Sequence, residues 1–470
     1  MPLHRRLLAA SLILALSACA DMGHIAPQSA MLDANKLQGS QAMDAAASAA
    51  IQWPRAQWWQ DLHDPQLNRL MEQALADSPT LRGAQARVRQ AEALAGAAQD
   101  KTRPQAEANV SINRELYSLH GSTPAPLAGN YAWRNQATVT ASYDLDLWGR
   151  NRAALSAALG DVQLASAESQ MARLALETAL VRTYIQLSYE FRVQDVIERS
   201  LAQRARILDI TRQRKAAGIG TDIDVAQIET TLPAGRRQLE QSAESLALLR
   251  NQLAALAGKG PAAGAALTRP VLRLDQPLAI PAALPADLIG RRPDIAAQRW
   301  RVEAAALRID AAKAEFYPNV NLVAFAGFQA FGFSHFLDAN SDIRGISPAL
   351  SLPIFAGARL RAQLGSQTAV YDGAVEQYNA TVINAISDVA NAVTRAQSLA
   401  KQHQLTVQAL ATAQRARDLA EKAYKAGMSD AIAMLNTQVA LLAEEQQQAQ
   451  NGARELDLYV SLMNALGGGI

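Results

Sequence analysis

Two stretches of this chain alternate apolar and polar residues with a period of two, and the pattern then recurs. Ala106, Ala108, Val110 and Ile112 alternate with Gln105, Glu107, Asn109, Ser111 and Asn113. Ala137, Val139, Ala141, Tyr143, Leu145 and Leu147 alternate with Thr138, Thr140, Ser142, Asp144 and Asp146. A period of two puts successive side chains on opposite faces of a strand. The spacing predicts strands over about 105–117 and 134–147, joined by a loop over 118–130 that holds Gly, Pro, Ser and Asn. Further on, Val320, Leu322, Ala324, Ala326 and Phe328 share one face, and Pro348, Leu350, Leu352 and Ile354 share another. Those runs predict strands over about 319–331 and 344–355.

Between and after the strands the period is helical. Pro79 and Pro104 lie 25 residues apart (104 − 79), as do Pro293 and Pro318 (318 − 293), and each pair brackets an Ala-, Gln- and Arg-rich helical stretch. From Gly149 to Ala217 there is no proline, and Gly357 to Ala426 is similar. Roughly 68 residues of helix span about 100 Å, far more than a compact globular domain uses. Each long helix ends at an Ala-Gly turn, Ala217-Gly218 or Ala426-Gly427, and returns through a partner over 221–257 or 430–466. Pro233 is expected to kink the first partner or mark its junction. The reading is therefore a mainly α chain with a small β part, internally duplicated. It has a first repeat over 63–257, a linker over 258–285, a second repeat over 286–466 and a flexible tail over 467–470.

An alternating strand with one polar face fits two architectures. One is a soluble antiparallel sheet with a face in water. The other is the wall of a transmembrane β-barrel, lipid outside and water inside. Each run has about ten alternating positions, enough for a tilted strand to cross a bilayer. On the second reading Val139, Ala141, Tyr143 and Leu145 face lipid. Thr138, Thr140, Ser142, Asp144, Asn109 and Asn113 then face water. Four strands cannot close a barrel, because bacterial barrels begin at about eight. An open edge in lipid leaves backbone groups unsatisfied. The membrane reading thus requires several chains.

Composition narrows the function. Charge is nearly balanced, Lys+Arg 45 against Asp+Glu 43, so no basic field points to nucleic acid. The histidines (His4, His24, His63, His120, His335, His403) are scattered. No HExxH, paired-cysteine or phosphate-loop motif appears, so no enzyme, metal site or cofactor is expected. The single cysteine is Cys19. His4, Arg5 and Arg6 precede an apolar run, Leu7 to Leu16, too short to span a bilayer. Residues 1–18 therefore read as a signal peptide, and no later stretch is apolar enough for a transmembrane helix. Leu16-Ser17-Ala18-Cys19 resembles a bacterial lipobox, which implies diacylglycerol and a palmitoyl chain on Cys19 and a lipid-anchored leader over 19–62. Ala20 stands where lipoproteins retained in the inner membrane usually carry Asp, so the resemblance favours the outer membrane. A plain signal peptide with a chance cysteine is the alternative.

Several ordered stretches carry a wider resemblance. Tyr143-Asp144-Leu145-Asp146-Leu147-Trp148-Gly149-Arg150 is similar to a strand-to-helix junction. The run from Leu284-Pro285-Ala286-Asp287-Leu288-Ile289 through Gly290-Arg291-Arg292-Pro293-Asp294-Ile295 is similar to an inter-repeat signature. Phe316-Tyr317-Pro318-Asn319-Val320, Leu350-Ser351-Leu352-Pro353-Ile354-Phe355 and Asn251-Gln252-Leu253-Ala254-Ala255-Leu256-Ala257-Gly258 complete the set. Together they resemble the lipoprotein branch of the TolC-like outer-membrane efflux channels (NodT-type outer components of RND systems). That resemblance implies a homotrimer with a twelve-stranded transmembrane β-barrel and a long periplasmic α-helical barrel. It implies a passive conduit that docks a periplasmic membrane-fusion adapter and an inner-membrane RND-type pump. In the residues alone, the two turns supply Gly for the reversal and Thr, Ser or Asp as helix caps. The resemblance adds adapter contact at Gly218, Gly220, Thr221, Gly427, Ser429 and Asp430. It also places a periplasmic gate near Asp224, Tyr424, Met434, Leu435 and Asn436, with Asp224 and Tyr424 at the positions of an inter-helix tie. Ser429 replaces an Arg of some members, and Ala433 and Asn436 replace acidic ring residues, so apolar packing and hydrogen bonding are expected to dominate closure. The competing assignments are a periplasmic long-hairpin adapter or structural lipoprotein and, more remotely, a soluble coiled-coil scaffold.

Overall fold

The computed structural model describes residues 21–33, 55–272 and 291–469. Cys19, the signal peptide, most of the leader and the 284–290 part of the inter-repeat signature lie outside the described residues.

A short 3₁₀ turn, Trp58–Leu62, precedes helices α1 (Pro65–Asp77) and α2 (Pro79–Asp100). Strands β1 (Gln105–Leu116) and β2 (Tyr131–Asp144) lead into α3 (Arg150–Ala216), which turns into α4 (Asp222–Leu256) and a short α5 (Pro261–Ala265). The order then repeats as α6 (Pro293–Ala314), β3 (Asn319–Phe331), β4 (Asp342–Ser351), α7 (Gly357–Lys425) and α8 (Ala431–Ala465). At 67 and 69 residues, α3 and α7 are each about 100 Å of helix.

The chain divides into two compact units. One takes in residues 87–166 and 297–379 with the N-terminal segment to 31, and so holds all four strands. The sheet has the order β1-β2-β3-β4, every neighbouring pair antiparallel and in unbroken register. Helices α6 and α7 pack here through Ile309, Phe316, Leu360 and Leu364. The segment from Asp21 is tied to α7: the amides of Gln28 and Ser29 donate to the Asp372 carboxylate at 2.9 and 3.0 Å, and Asn379 donates to the Ala30 carbonyl.

The other unit comprises 32–86, 167–296 and 380–470 in its described parts, and its core is Trp58, Trp59, Leu62 and Met71 against α3 and α8. Asp64 caps α1, accepting from the amides of Gln66 and Leu67 at 2.8 and 3.2 Å. Its second oxygen accepts from the Tyr184 hydroxyl and the Val271 amide. A buried carboxylate with four donors is well satisfied, which makes it a fixed corner.

Four expectations need correction. The second strand ends at Asp144, not 147: Leu145 still donates to the Val320 carbonyl, but Asp146 turns to φ 44° and its carboxylate caps α3 through the amides of Asn151 and Arg152. It also begins earlier, at Tyr131. The fourth strand covers Asp342–Ser351, so Leu352 and Ile354 lie beyond it, where Pro353 cannot donate to a ladder. Pro233 lies inside α4 and marks no junction. Thr230, Thr231 and Arg204 donate to the carbonyls of Gln227, Ile228 and Thr231 in the turn before it. Finally, Gly467 and Gly468 are not a loose end: both are buried at positive φ, and Gly468 donates to the Met463 carbonyl at 2.9 Å, closing α8 with a left-handed cap.

Candidate functional site: sheet faces and helix turns

Unbroken register fixes which residues share a face. Val139 pairs with Ala108 and Ala326, Ala137 with Val110 and Phe328, and Ala324 with Ile346. Most apolar positions of the four strands therefore merge into one face. Val139 is 55% exposed, and Tyr143 and Leu145 are also exposed although apolar. Ala141 lies between them, likewise exposed, and Leu145 sits one residue past the strand end. The opposite face carries Glu107, Asn109 and Ser111 beside Thr138, Thr140 and Ser142. This broad exposed apolar face, interrupted on β4 by Arg344 and Asp342 beside Ala326 and Phe328, is what a soluble sheet avoids and a membrane wall requires.

Aromatic side chains mark both ends of the strands. Trp148 stacks on Tyr317 at 4.6 Å and donates to the Pro318 carbonyl at 2.9 Å. At the loop end Trp133 meets Phe333 at 5.5 Å. Trp133 and Tyr143 are ten positions apart on β2, roughly 33 Å along a strand and about 25 Å of height at a tilt of about 40°. That matches the apolar band of an outer-membrane barrel. Among the described residues β1 and β4 each pair on one side only.

The two hairpin turns share one geometry. Gly218 (φ 78°) and Gly427 (φ 72°) take the left-handed conformation that glycine alone adopts without cost. Ile219 donates to the Arg214 carbonyl and Met428 to the Ala423 carbonyl, both at 2.9 Å. The following helices are capped differently. Thr221 opens α4 with a capping box: its hydroxyl accepts from the Asp224 amide, while the Asp224 carboxylate accepts from the Thr221 amide at 2.9 Å and hydroxyl at 2.8 Å. Those donors, with Arg214 nearby, hold the Asp224 carboxyl below the usual range. Asp430 opens α8 by accepting from the Ala433 amide at 2.7 Å. Ser429 donates only weakly, to the Asp430 carbonyl at 3.4 Å. A β-carbon on Gly220 would lie 3.3 Å from the Lys215 amide nitrogen, so the first turn is tight there.

Just behind the turns, Tyr424 packs with Ile207, Leu208, Ile228 and Ala431, flanked by Met434 and Leu435. The sequence expectation grouped Tyr424, Met434 and Leu435, and the fold brings these three together. It does not join Asp224 to Tyr424: the carboxylate is taken by the capping box, and the buried Tyr424 hydroxyl has no hydrogen-bond partner among the described residues. Asn436 is exposed on α8, outside this cluster. Sequence reasoning missed Arg214, whose guanidinium lies 4.9 Å from the Tyr424 ring centroid. A basic residue in the last turn of a helix reads as a dipole partner, so nothing local marked it. Arg214, Ile219, Tyr424, Gly427 and Met434 line a groove of about 510 Å³.

The model of the outer membrane efflux protein family matches residues 70–259 and 284–468, one segment for each repeat. The chain belongs to this family. This efflux channel is 44% identical over 369 residues to the fusaric acid resistance protein FusA of Burkholderia cepacia, covering 77% of the chain and 68% of that protein. It is 31% identical to the multidrug resistance outer membrane protein MdtP of Escherichia coli (strain K12), covering 90% and 88%. The crystal structure of the outer membrane protein VceC from Vibrio cholerae aligns with a TM-score of 0.85 at 35% identity, covering 89% of this chain and all of that one. The protein is thus an outer-membrane efflux channel, mainly helical with a small sheet and internally duplicated. Its family is one of passive channels.

Proposed function

We propose that three copies of this chain assemble into a twelve-stranded transmembrane barrel continued by an α-helical tunnel, anchored through acyl chains on Cys19. The observation that carries the reading is the exposed apolar face shared by four strands whose sheet is open at β1 and β4. Each edge presents unpaired backbone groups, which lipid does not tolerate. Pairing β4 of one copy with β1 of the next satisfies every edge. Val139, Ala141, Tyr143 and Leu145 then face lipid, and the Thr138–Thr140–Ser142 face lines the water-filled interior.

The duct performs no chemistry. Export is driven by an inner-membrane pump, which a periplasmic adapter couples to the channel at the turns Gly218–Thr221 and Gly427–Asp430. Closure rests on the cluster of Tyr424, Met434 and Leu435, with Asp224 and Asn436 beside it. The shared turn geometry and the unpartnered Tyr424 hydroxyl support this assignment. Cargo is selected mostly at the pump, and the names of FusA and MdtP point to organic antimicrobial compounds.

The test is electrophoresis of outer-membrane fractions with and without boiling. A heat-dissociable trimer that incorporates labelled fatty acid, and no longer does so after Cys19→Ala, is expected. A channel that stays monomeric in the membrane overturns the assembly.

A further inference from the structure

The face of the sheet opposite the lipid-facing side chains is not uniformly polar, and the duplication shows where it departs. Pro104 and Pro318 directly precede β1 and β3, an offset of 214 (318 − 104). By that offset Asn109 corresponds to Val323 (109 + 214) and Ser111 to Phe325 (111 + 214). Tyr117, at the loop end, corresponds to Phe331 (117 + 214). The first repeat therefore presents a hydrophilic face, while the second replaces two of its polar positions with Val323 and Phe325.

Register keeps these residues on the polar side. Phe325 pairs with Thr140 on one neighbour and Gly345 on the other. Its ring lies over Gly345, where an added β-carbon would come within 2.7 Å of it. Even so, Phe325 is 37% exposed and Phe331 46%. Phe331 sits edge-on to Tyr117, ring centroids 5.6 Å apart. The two phenylalanines are six residues apart on β3, roughly 20 Å of strand. An aromatic ring open to water on a wall lined mainly with Thr, Ser, Asn and charged residues, among them Glu107 and the Arg134–Glu115 ion pair opposite Phe331, offers a stacking surface that those polar neighbours lack.

We infer that Phe325 and Phe331 form an apolar track on the inner wall of the β3–β4 hairpin, a specificity-determining element for planar aromatic cargo. Small hydrophilic solutes pass along the β1–β2 half of the wall. Aromatic molecules stack briefly on Phe325 and then on Phe331 near the outer mouth. Each contact is weak, as transit requires. The inference rests on the inward orientation of this face proposed above.

The test uses the full chain in phosphatidylcholine nanodiscs. Binding of naphthalene-2-sulfonate is titrated by saturation-transfer NMR, with methanesulfonate as a control of equal charge and no ring. Phe325→Leu with Phe331→Leu keeps the cover over Gly345 and removes both aromatic faces. Affinity for the naphthalene probe should fall about two- to tenfold, with the methanesulfonate response unchanged. Unchanged affinity in this variant overturns the track. Orientation is read separately. Phe325→Cys should react with a water-soluble maleimide and Val139→Cys should not. The reverse labelling overturns the proposed orientation and the track with it, whereas correct labelling without loss of affinity overturns the track alone.

Discussion

The guanidinium of Arg214, at the end of α3, lies 4.9 Å from the ring centroid of Tyr424, at the end of α7. Tyr424 is only 5% exposed, and its hydroxyl finds no partner among the described residues. A buried unsatisfied hydroxyl costs about 1–3 kcal/mol. Tyr424→Phe removes that cost and keeps the cation–π contact, so the purified channel should unfold at the same temperature or higher. Thermal denaturation checks this. A marked fall would mean that another protomer supplies the hydroxyl's partner.

Neighbouring positions on β2 should respond in opposite ways to one substitution. Ala141 shares the exposed apolar face and Thr140 the polar one. Ala141→Arg places a charge in lipid, at a cost of about 2–4 kcal/mol near the midplane. Outer-membrane levels on immunoblots should drop for Ala141→Arg and hold for Thr140→Arg. Equal effects would count against the orientation.

At the turns, bulk should separate coupling from assembly. Gly427 has a φ of 72°, and Gly220 has little space beside Lys215. Gly220→Trp combined with Gly427→Trp should abolish efflux in a susceptibility assay while channel abundance stays normal. Normal efflux would remove adapter docking from these turns.

Glu177 supplies a pH signature. It is buried, and desolvation raises its pKa, opposed by hydrogen bonds from Arg173 at 2.8 Å and Trp58 at 3.3 Å. A carboxyl whose folded pKa lies above its unfolded value contributes stability below the unfolded value and loses it as pH rises through the folded one. Glu177→Gln removes this dependence. Its melting temperature relative to the parent should therefore be higher at pH 8 than at pH 4. A difference that stays flat across that range would show that the ion pair with Arg173 cancels the effect of burial, and a reversed trend that it outweighs it.

Much of this architecture could be read from periodicity. Alternation at Ala137–Tyr143 and Val320–Phe328 marks strands, because a two-residue period fits only one backbone. The absence of proline from Gly149 to Ala217 allows one unbroken helix, and Gly218 and Gly427 end the long helices where a left-handed residue is needed. Strand ends were harder, since Leu147 and Ile354 keep the apolar rhythm after the ladder has stopped. Asp146 ends β2 by capping a helix, a competition between side chain and backbone that hydropathy does not record.

By itself, then, the sequence determined the duplication, the element types, the turn glycines and the polar or apolar character of each strand face. These follow from backbone geometry and local chemistry. Only the tertiary structure decided which faces merge, because register is a long-range relation between strands up to two hundred residues apart. It alone drew Asp224 into a capping box instead of a tie to Tyr424, and set Arg214 against that ring. It also left Phe325 and Phe331 open on a polar wall. Each of these depends on which distant helix or strand arrives beside the residue, and the local pattern carries no record of that.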